Sequence, residues 1–326
     1  MARAVLTFFL FFLISECSFA QSNSSGVFRF LDITPTARTA ALGGNHTGLY
    51  NGDFSLIHIN PAYLSAQNSG AVSASYMNFL GGANMGFTNG AYHFEDIGTF
   101  AAGIRFMGYG EFDRLDENGN QMGNFRANDL AVTGTYSLPL STKIRAGAGL
   151  DLIHSSYAEF RSTALAVSGG IFYQDTASHF SAGIAIRNIG GQLTTFDERR
   201  EPLPMDLSVG ITKKPEAFPF QLSLTLRRLT DWDLRTVGES SRPDLIDNAF
   251  RHIVFGGEAY LGENVAFRLG YDHYLHEQLK TGSDFDLAGF SIGVGFTIKD
   301  ITFDFSRNSY SKLGGLTRLS VNTRLF

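Results

Sequence analysis

From Gly70 onward, apolar residues alternate with polar or small residues in runs of about ten. The run 220–227, for example, reads Phe-Gln-Leu-Ser-Leu-Thr-Leu-Arg. A period of two is typical of β-strands that have one face in an apolar environment. The pattern predicts fourteen strands, centred on 72–79, 85–94, 99–107, 130–138, 144–153, 164–173, 180–189, 207–212, 220–229, 252–261, 265–275, 287–298, 301–306 and 317–326.

The charged residues of these runs share one face. An Arg or Lys that faces lipid at mid-bilayer costs about 2–4 kcal/mol, so several on a lipid face would be prohibitive. We therefore expect an all-β fold, a 14-stranded antiparallel transmembrane β-barrel whose lumen is lined by these charges. They are Arg105, Arg145, Asp151, Arg187, Arg227, Glu258, Arg268, Asp272 and Asp304.

The connections between the runs alternate between short and long. Short ones such as 95–98 and 299–300 are followed by long ones, of which 108–129 and 230–251 are the longest. A soluble β-sandwich also has one polar face and is the alternative. Short periplasmic turns and long outer loops are typical of a barrel in the outer membrane of a Gram-negative bacterium, and they favour the barrel.

The N-terminal twenty residues resemble a secretory signal peptide. Arg3 precedes an apolar run at 4–14, and the small residues around Phe19 predict cleavage before Gln21. The only cysteine, Cys17, lies in this segment. A lipoprotein is an alternative, although Glu16 fits a lipidation site poorly. The mature chain then has no thiol for disulfides or thiolate metal sites.

The charge pattern gives no support to nucleic-acid binding, because the net charge is −5 and no basic patch is present. Asp272, His273 and His276 could belong to a metal or hydrolase site. The chain has neither a Gly-x-Ser-x-Gly elbow nor a His-Glu-x-x-His pair. We expect ordinary loop histidines there, no enzyme activity and no metal or cofactor.

The stretch 28–64 lacks the alternation and is rich in small and turn-forming residues. A barrel of fourteen strands has a lumen too wide for its own side chains to fill. We therefore divide the chain into a signal peptide (1–20), a hatch or plug in the lumen (21–69) and the barrel (70–326). Arg38 is the expected plug-side partner of an acidic lumen residue, namely Asp151, Glu258, Asp272 or Asp304.

The order of motifs in this stretch resembles a known signature. Pro-Thr-Ala-Arg at 35–38 is followed by Ala-Ala-Leu-Gly-Gly at 40–44 and by Asn-Pro-Ala at 60–62. This order is similar to the N-terminal signature of the PorV and PorQ barrels of the type IX secretion system, relatives of the FadL fatty-acid transporters. The Ala-Leu-Gly-Gly form is closer to the PorQ type. The residues that match the hatch motif are Arg38, Gly43, Gly44, Asn60, Pro61 and Ala62.

The resemblance implies a function in protein secretion in a Bacteroidetes-like bacterium. A PorQ-type barrel would anchor a surface protein of the PorZ type in the attachment complex, beside the PorU sortase and PorV. Its other partner is outer-membrane lipid, and the long outer connections are the candidate docking surfaces. The alternative is a FadL-like transporter of hydrophobic compounds, against which the many lumen charges argue.

Overall fold

The computed structural model describes residues 27–50, 53–216, 218–236, 238–281, 286–310 and 314–325. Each strand pairs with its chain neighbours in antiparallel register, and β1 closes the barrel on β14, with Ala71 opposite Arg324. The predicted closed barrel of fourteen strands is confirmed. The strands are β1 (Ala71–Asn78), β2 (Asn84–Phe94), β3 (Gly98–Leu115), β4 (Gln121–Pro139), β5 (Ile144–Tyr157), β6 (Phe160–Asp175), β7 (Phe180–Thr194), β8 (Asp206–Lys213), β9 (Phe220–Leu226), β10 (Ile253–Leu261), β11 (Val265–Asp272), β12 (Phe290–Ile298), β13 (Ile301–Ser309) and β14 (Gly315–Arg324).

The alternation of the sequence places side chains on the two faces as expected. On β13, Phe303 and Phe305 are 39% and 45% exposed on the outer face, whereas Asp304 between them is 1% exposed. Successive side chains of a strand point to opposite faces, so each apolar residue towards lipid places its neighbour towards the lumen.

The wall is taller on one side. Strands β3 to β7 are 14 to 19 residues long, while the others have 7 to 11. About 9–11 residues cross a bilayer, so β3 to β7 extend beyond it. The prediction of a long loop at 108–129 was wrong, because β3 and β4 continue there up to a turn at 116–120. Both faces of β3 and β4 are exposed to water at 111–115 and 121–124, which removes the alternation that marks a strand.

Short helices lie in the N-terminal stretch and in two outer connections. They are α1 (Ala37–Ala41), α2 (Leu245–Arg251) and α3 (His273–Leu279). Single 3₁₀ turns occur at Arg29–Asp32, Phe54–Leu56, Pro61–Tyr63, Ala66–Asn68 and Leu80–Gly82. In the described part of the chain, no helix has the length and hydropathy needed to cross a membrane.

The predicted signal peptide (1–20) lies outside the described residues, as do residues 21–26. Its cleavage therefore stays a prediction. The described part of the predicted hatch begins at Val27.

Candidate functional site

Residues 27–69, called here the N-terminal segment, contact inward-facing residues on opposite sides of the barrel. Helix α1 packs against β11 to β14, and the turn Pro61–Tyr63 packs against β4 to β6. Phe28 packs at the outer end, the end with the long connections, and β1 starts directly after the segment at the other end. The segment thus crosses the lumen from the outer to the periplasmic end. Whether it moves as a hatch stays a prediction.

Glycines of the wall make room for the N-terminal segment. A Cβ at Gly183 would lie 2.0 Å from the Thr47 carbonyl oxygen, and one at Gly270 would lie 2.0 Å from the Gly43 nitrogen. Any other residue would collide with the backbone of the segment, so the wall and the segment are matched in shape. Seven glycines on seven strands share this feature, each with a Cβ position under 3.0 Å from an atom of the segment: Gly147, Gly170, Gly183, Gly210, Gly256, Gly270 and Gly293.

The Asn-Pro-Ala motif fixes one end of the segment to the wall. The side chain of Asn60 is fully buried and accepts a hydrogen bond from the Ala62 N–H at 3.0 Å. Its Nδ2 donates to the carbonyl of Thr47 at 3.2 Å and to that of Ile171 on β6 at 3.3 Å. Pro61 at the first position of the turn has no N–H to satisfy. Asn60 thereby joins two parts of the segment to the barrel.

Residues 42–44, the Leu-Gly-Gly part of the Ala-Ala-Leu-Gly-Gly motif, lie against β10 and β11. Gly43 has φ +95° and its ideal Cβ would be 2.8 Å from the Tyr271 nitrogen, so both its conformation and its position require glycine. Gly44, at φ +158°, packs on Val254 of β10. These two glycines let the chain turn after α1 without leaving the wall.

Arg38 lies in a buried chain of charges. Its guanidinium donates to Glu258 at 3.0 Å, and Glu258 also accepts from Arg268 at 2.7 Å. Arg268 reaches Asp304 at 2.6 Å, and Tyr260 donates to Glu258 at 2.9 Å. Among the four acids proposed as partners of Arg38, the structure selects Glu258. Two cations and two carboxylates alternate here, so each charge is compensated.

The other predicted lumen charges also face inward and have partners. Arg105 pairs with Asp151 at 3.1 Å. Arg145 donates to the Ala62 carbonyl at 3.0 Å and lies over the ring of Phe172. Two further ion pairs join Arg187 to Asp206 at 2.6 Å and Arg227 to Asp272 at 2.6 Å. Arg105, Arg145 and Glu258 bind the N-terminal segment directly. The other predicted charges pair with charged residues of the wall.

Sequence reasoning missed one buried cation of this set. Arg318 is 4% exposed and donates from Nε to the Thr34 carbonyl of the segment at 2.9 Å. It shares the inward parity of Ser320 and Asn322 on β14. The neighbouring Leu319 is 50% exposed, so the alternation of β14 was the signal that could have identified Arg318.

An apolar cluster joins the N-terminal segment to the wall at the outer end. Phe196, from the β7–β8 connection, lies above it and contacts Phe28 at a ring distance of 6.3 Å and Tyr157 at 5.0 Å. Arg105, two residues below Met107 on β3, marks its lower limit. This outer apolar cluster contains Phe28, Phe30, Leu31, Met77, Ala83, Met85, Met107, Ala131, Ile153, Ala164, Ala166, Leu203 and Leu316.

One group of side chains has the composition of a metal site. Donor atoms of Asp247, His273 and Glu277 lie within 4.8 Å of one another. The guanidinium of Arg251, 2% exposed, already bonds Asp247 at 2.7 Å and Glu277 at 3.4 Å. Lys280 bonds Glu277 as well, at 2.6 Å. Two cations thus occupy the ligand atoms, and we interpret the group as an ion-pair network that orders the outer loops.

No protein-family model and no curated protein matches this chain. Solved structures do match. The Pseudomonas putida toluene transporter TodX aligns with a TM-score of 0.56 at 14% identity, over 90% of this chain and 99% of that one. A Pseudomonas aeruginosa FadL homologue aligns with a TM-score of 0.51 at 12% identity, over 90% and 98%. These likenesses show the fold: a closed fourteen-stranded barrel of the FadL-like outer-membrane type.

Proposed function

We propose that the protein is an outer-membrane channel for hydrophobic compounds. The observation that carries this proposal is the outer apolar cluster, which lies between the N-terminal segment and the wall and is covered by Phe196. The FadL-like fold, shared with a toluene transporter, supports the same function. This is the alternative that the lumen charges argued against, and the pairing of those charges removes the objection.

The chemistry of the cluster favours small apolar molecules over ions or sugars. Met77, Met85 and Met107 contribute flexible thioether side chains, which adapt to ligands of different shape. Phe28 and Phe30 add aromatic surface, and each Å² of apolar surface that a ligand buries contributes about 25 cal/mol. The buried carboxylates Asp151, Glu258, Asp272 and Asp304 are each paired with an arginine, which lowers their attraction for cations.

Replacement of Met107 tests the channel. Met107→Gln keeps the length of the side chain but leaves an unsatisfied amide in the cluster, while Met107→Leu conserves its volume and polarity. We expect cells that carry Met107→Gln to take up radiolabelled toluene and oleate at most one-tenth as fast as wild type. Met107→Leu should match wild type. Equal uptake by both variants and by a deletion strain would contradict the proposal.

A second candidate function, the anchoring of a surface protein in the type IX attachment complex, is favoured by one observation. The β3–β4 hairpin rises beyond every other strand pair of the described chain, in the region 108–129 that the sequence singles out. Such a projection lies beyond the length of strand that crosses a bilayer and is open to a partner outside the membrane. Its test is a cross-linked pull-down from intact outer membranes, in which a large surface protein should be recovered with wild type and lost when 111–126 is shortened.

A further inference from the structure

The top of the β3–β4 hairpin stands alone. β2 pairs with β3 only as far as Gly108, and β5 pairs with β4 only from Ala127. Between these limits the two strands pair with each other alone, from Glu111 opposite Arg126 to Leu115 opposite Gln121. We call residues 109–127 the outer ribbon. It is a two-stranded sheet with two open edges.

The register shows which backbone groups face the open edge of β4. The N–H of Ala158 donates to the carbonyl of Arg126 at 3.2 Å, so the backbone N–H and C=O of Arg126 point towards β5. Successive residues of a strand turn their N–H and C=O to opposite edges. Asn124 therefore also faces that side, where β5 has already ended at Tyr157. Among the described residues, no strand pairs with Asn124 there.

A groove runs along the same edge. Its volume is about 590 Å³, and its lining consists of Arg114, Asn124, Phe125, Arg126, Ala158 and Glu159. Phe125 stacks on Phe112 across the ribbon at a ring distance of 5.4 Å, which gives the groove a rigid apolar wall. The turn at 158–159 closes its lower end. The ladder skips Met122, because Gly123 lies opposite Arg114 and Gln121 lies opposite Leu115. The regular part of this edge is therefore 123–126, which spans about 13 Å.

The charge of the ribbon selects its occupant. Residues 109–127 contain four carboxylates and two arginines, a balance of −2. Arg126 pairs with Glu111 within the ribbon, and Arg114 pairs with Glu159 of the β5–β6 turn. The excess of carboxylates near the tip favours a basic partner. Exposed apolar residues, with Leu115 at 59% and Met122 at 68%, favour one that also carries apolar side chains.

We propose that the open edge of β4 at 123–126 binds an extended, basic segment of a partner protein by β-augmentation. The segment would continue the sheet in line with β5 and exchange hydrogen bonds with the backbone of Asn124. Exposed edges are normally blocked or paired, and an isolated two-stranded ribbon is marginally stable, so an occupant also stabilises this one. The inference rests on the anchoring function and names its contact; it is independent of the channel.

The test uses the full chain in lipid nanodiscs and a fluorescent decapeptide of alternating Lys and Val. Asn124→Pro removes the N–H at the open edge but no hydrogen bond to β3, because Asn124 faces away from β3. Asn124→Ala is the matched control, since it loses the same side-chain bond to Glu111 and keeps the N–H. Arg126→Pro repeats the block at the other residue of 123–126 that faces this edge, whose carbonyl still accepts from Ala158. An alternating Lys-Pro decapeptide controls for charge alone.

We expect the Lys-Val peptide to bind wild type and Asn124→Ala equally, and to bind both proline variants at least tenfold more weakly. Equal binding of the Lys-Pro peptide, or equal loss in Asn124→Ala, would overturn the proposal. Self-association of wild type that the proline variants abolish would assign the edge to a second copy and overturn it as well. If the peptide does not bind but the pull-down recovers a surface protein, the anchoring function is supported and uses another surface. If the peptide binds but the pull-down recovers no surface protein, the anchoring function is contradicted.

Discussion

Single buried charges connect the N-terminal segment to the wall, and Arg38 is the clearest case. Its guanidinium and that of Arg268 neutralise Glu258 and Asp304, all four side chains being at most 12% exposed. Without Arg38, two buried carboxylates share one cation. Removal of one partner of a buried pair typically costs about 3–5 kcal/mol, because the remaining charge is left uncompensated.

Arg38→Ala should therefore lower the temperature at which the barrel unfolds, measured by its heat-modifiable mobility in gels. The double variant Arg38→Gln with Glu258→Gln removes both charges and should recover most of the loss. If Arg38→Ala unfolds at the wild-type temperature, the ion pair contributes nothing to the fit of the segment.

At the scale of elements, the wall glycines determine how closely the segment can pack. A Cβ at Gly270 would meet the backbone of Leu42 and Gly43 at 2.0 Å, and backbone atoms cannot move aside as a side-chain end can. Overpacking of this kind typically costs about 1–3 kcal/mol. Gly134 on β4 is a matched control, because its outward position has no atom within 4 Å of an added Cβ.

Gly270→Ala should displace the segment around Leu42 and Gly43, with the barrel intact. We expect a several-fold higher ion conductance than wild type in planar bilayers, and Gly134→Ala should conduct like wild type. An unchanged conductance of Gly270→Ala would show that the segment adjusts without opening a path.

A second element, helix α2, is held by Arg251 and is expected to respond to acid. Two hydrogen bonds from the Arg251 guanidinium lower the pKa of Glu239 to about 2. Because folding lowers the pKa of this carboxyl, its ionised form stabilises the folded loop at pH values above about 4.5, the pKa in the unfolded chain. This stabilisation is lost as the pH falls towards 2. We expect cleavage by pepsin between Glu239 and Arg251 to rise between pH 4.5 and pH 2. Glu239→Gln should be cleaved readily already at pH 4.5. The prediction is contradicted if the cleavage rate of wild type changes with pH only as the activity of pepsin itself does.

The whole barrel was predictable from the sequence to a large extent. The alternation seen in 220–227 and the cost of a charge towards lipid determine strand number, antiparallel order and the inward face. The outer ribbon was not predictable, because Glu111, Phe112 and Asp113 are all exposed to water and show no period of two. The outer apolar cluster was missed because Met77, Met85 and Met107 lie opposite one another on β1, β2 and β3, and this register is set by pairing that the alternation alone does not fix.

The ladder from β1 to β14 closes through strand pairing alone, so the barrel does not need the N-terminal segment to close. Deletion of 27–64 should give a folded barrel whose lumen is filled with water, since Arg145, Arg318 and Glu258 would then lack their partners in the segment. We expect a stable open pore with a conductance far above that of Gly270→Ala. A folded but non-conducting deletion variant would mean that the outer loops, and not the segment, close the lumen.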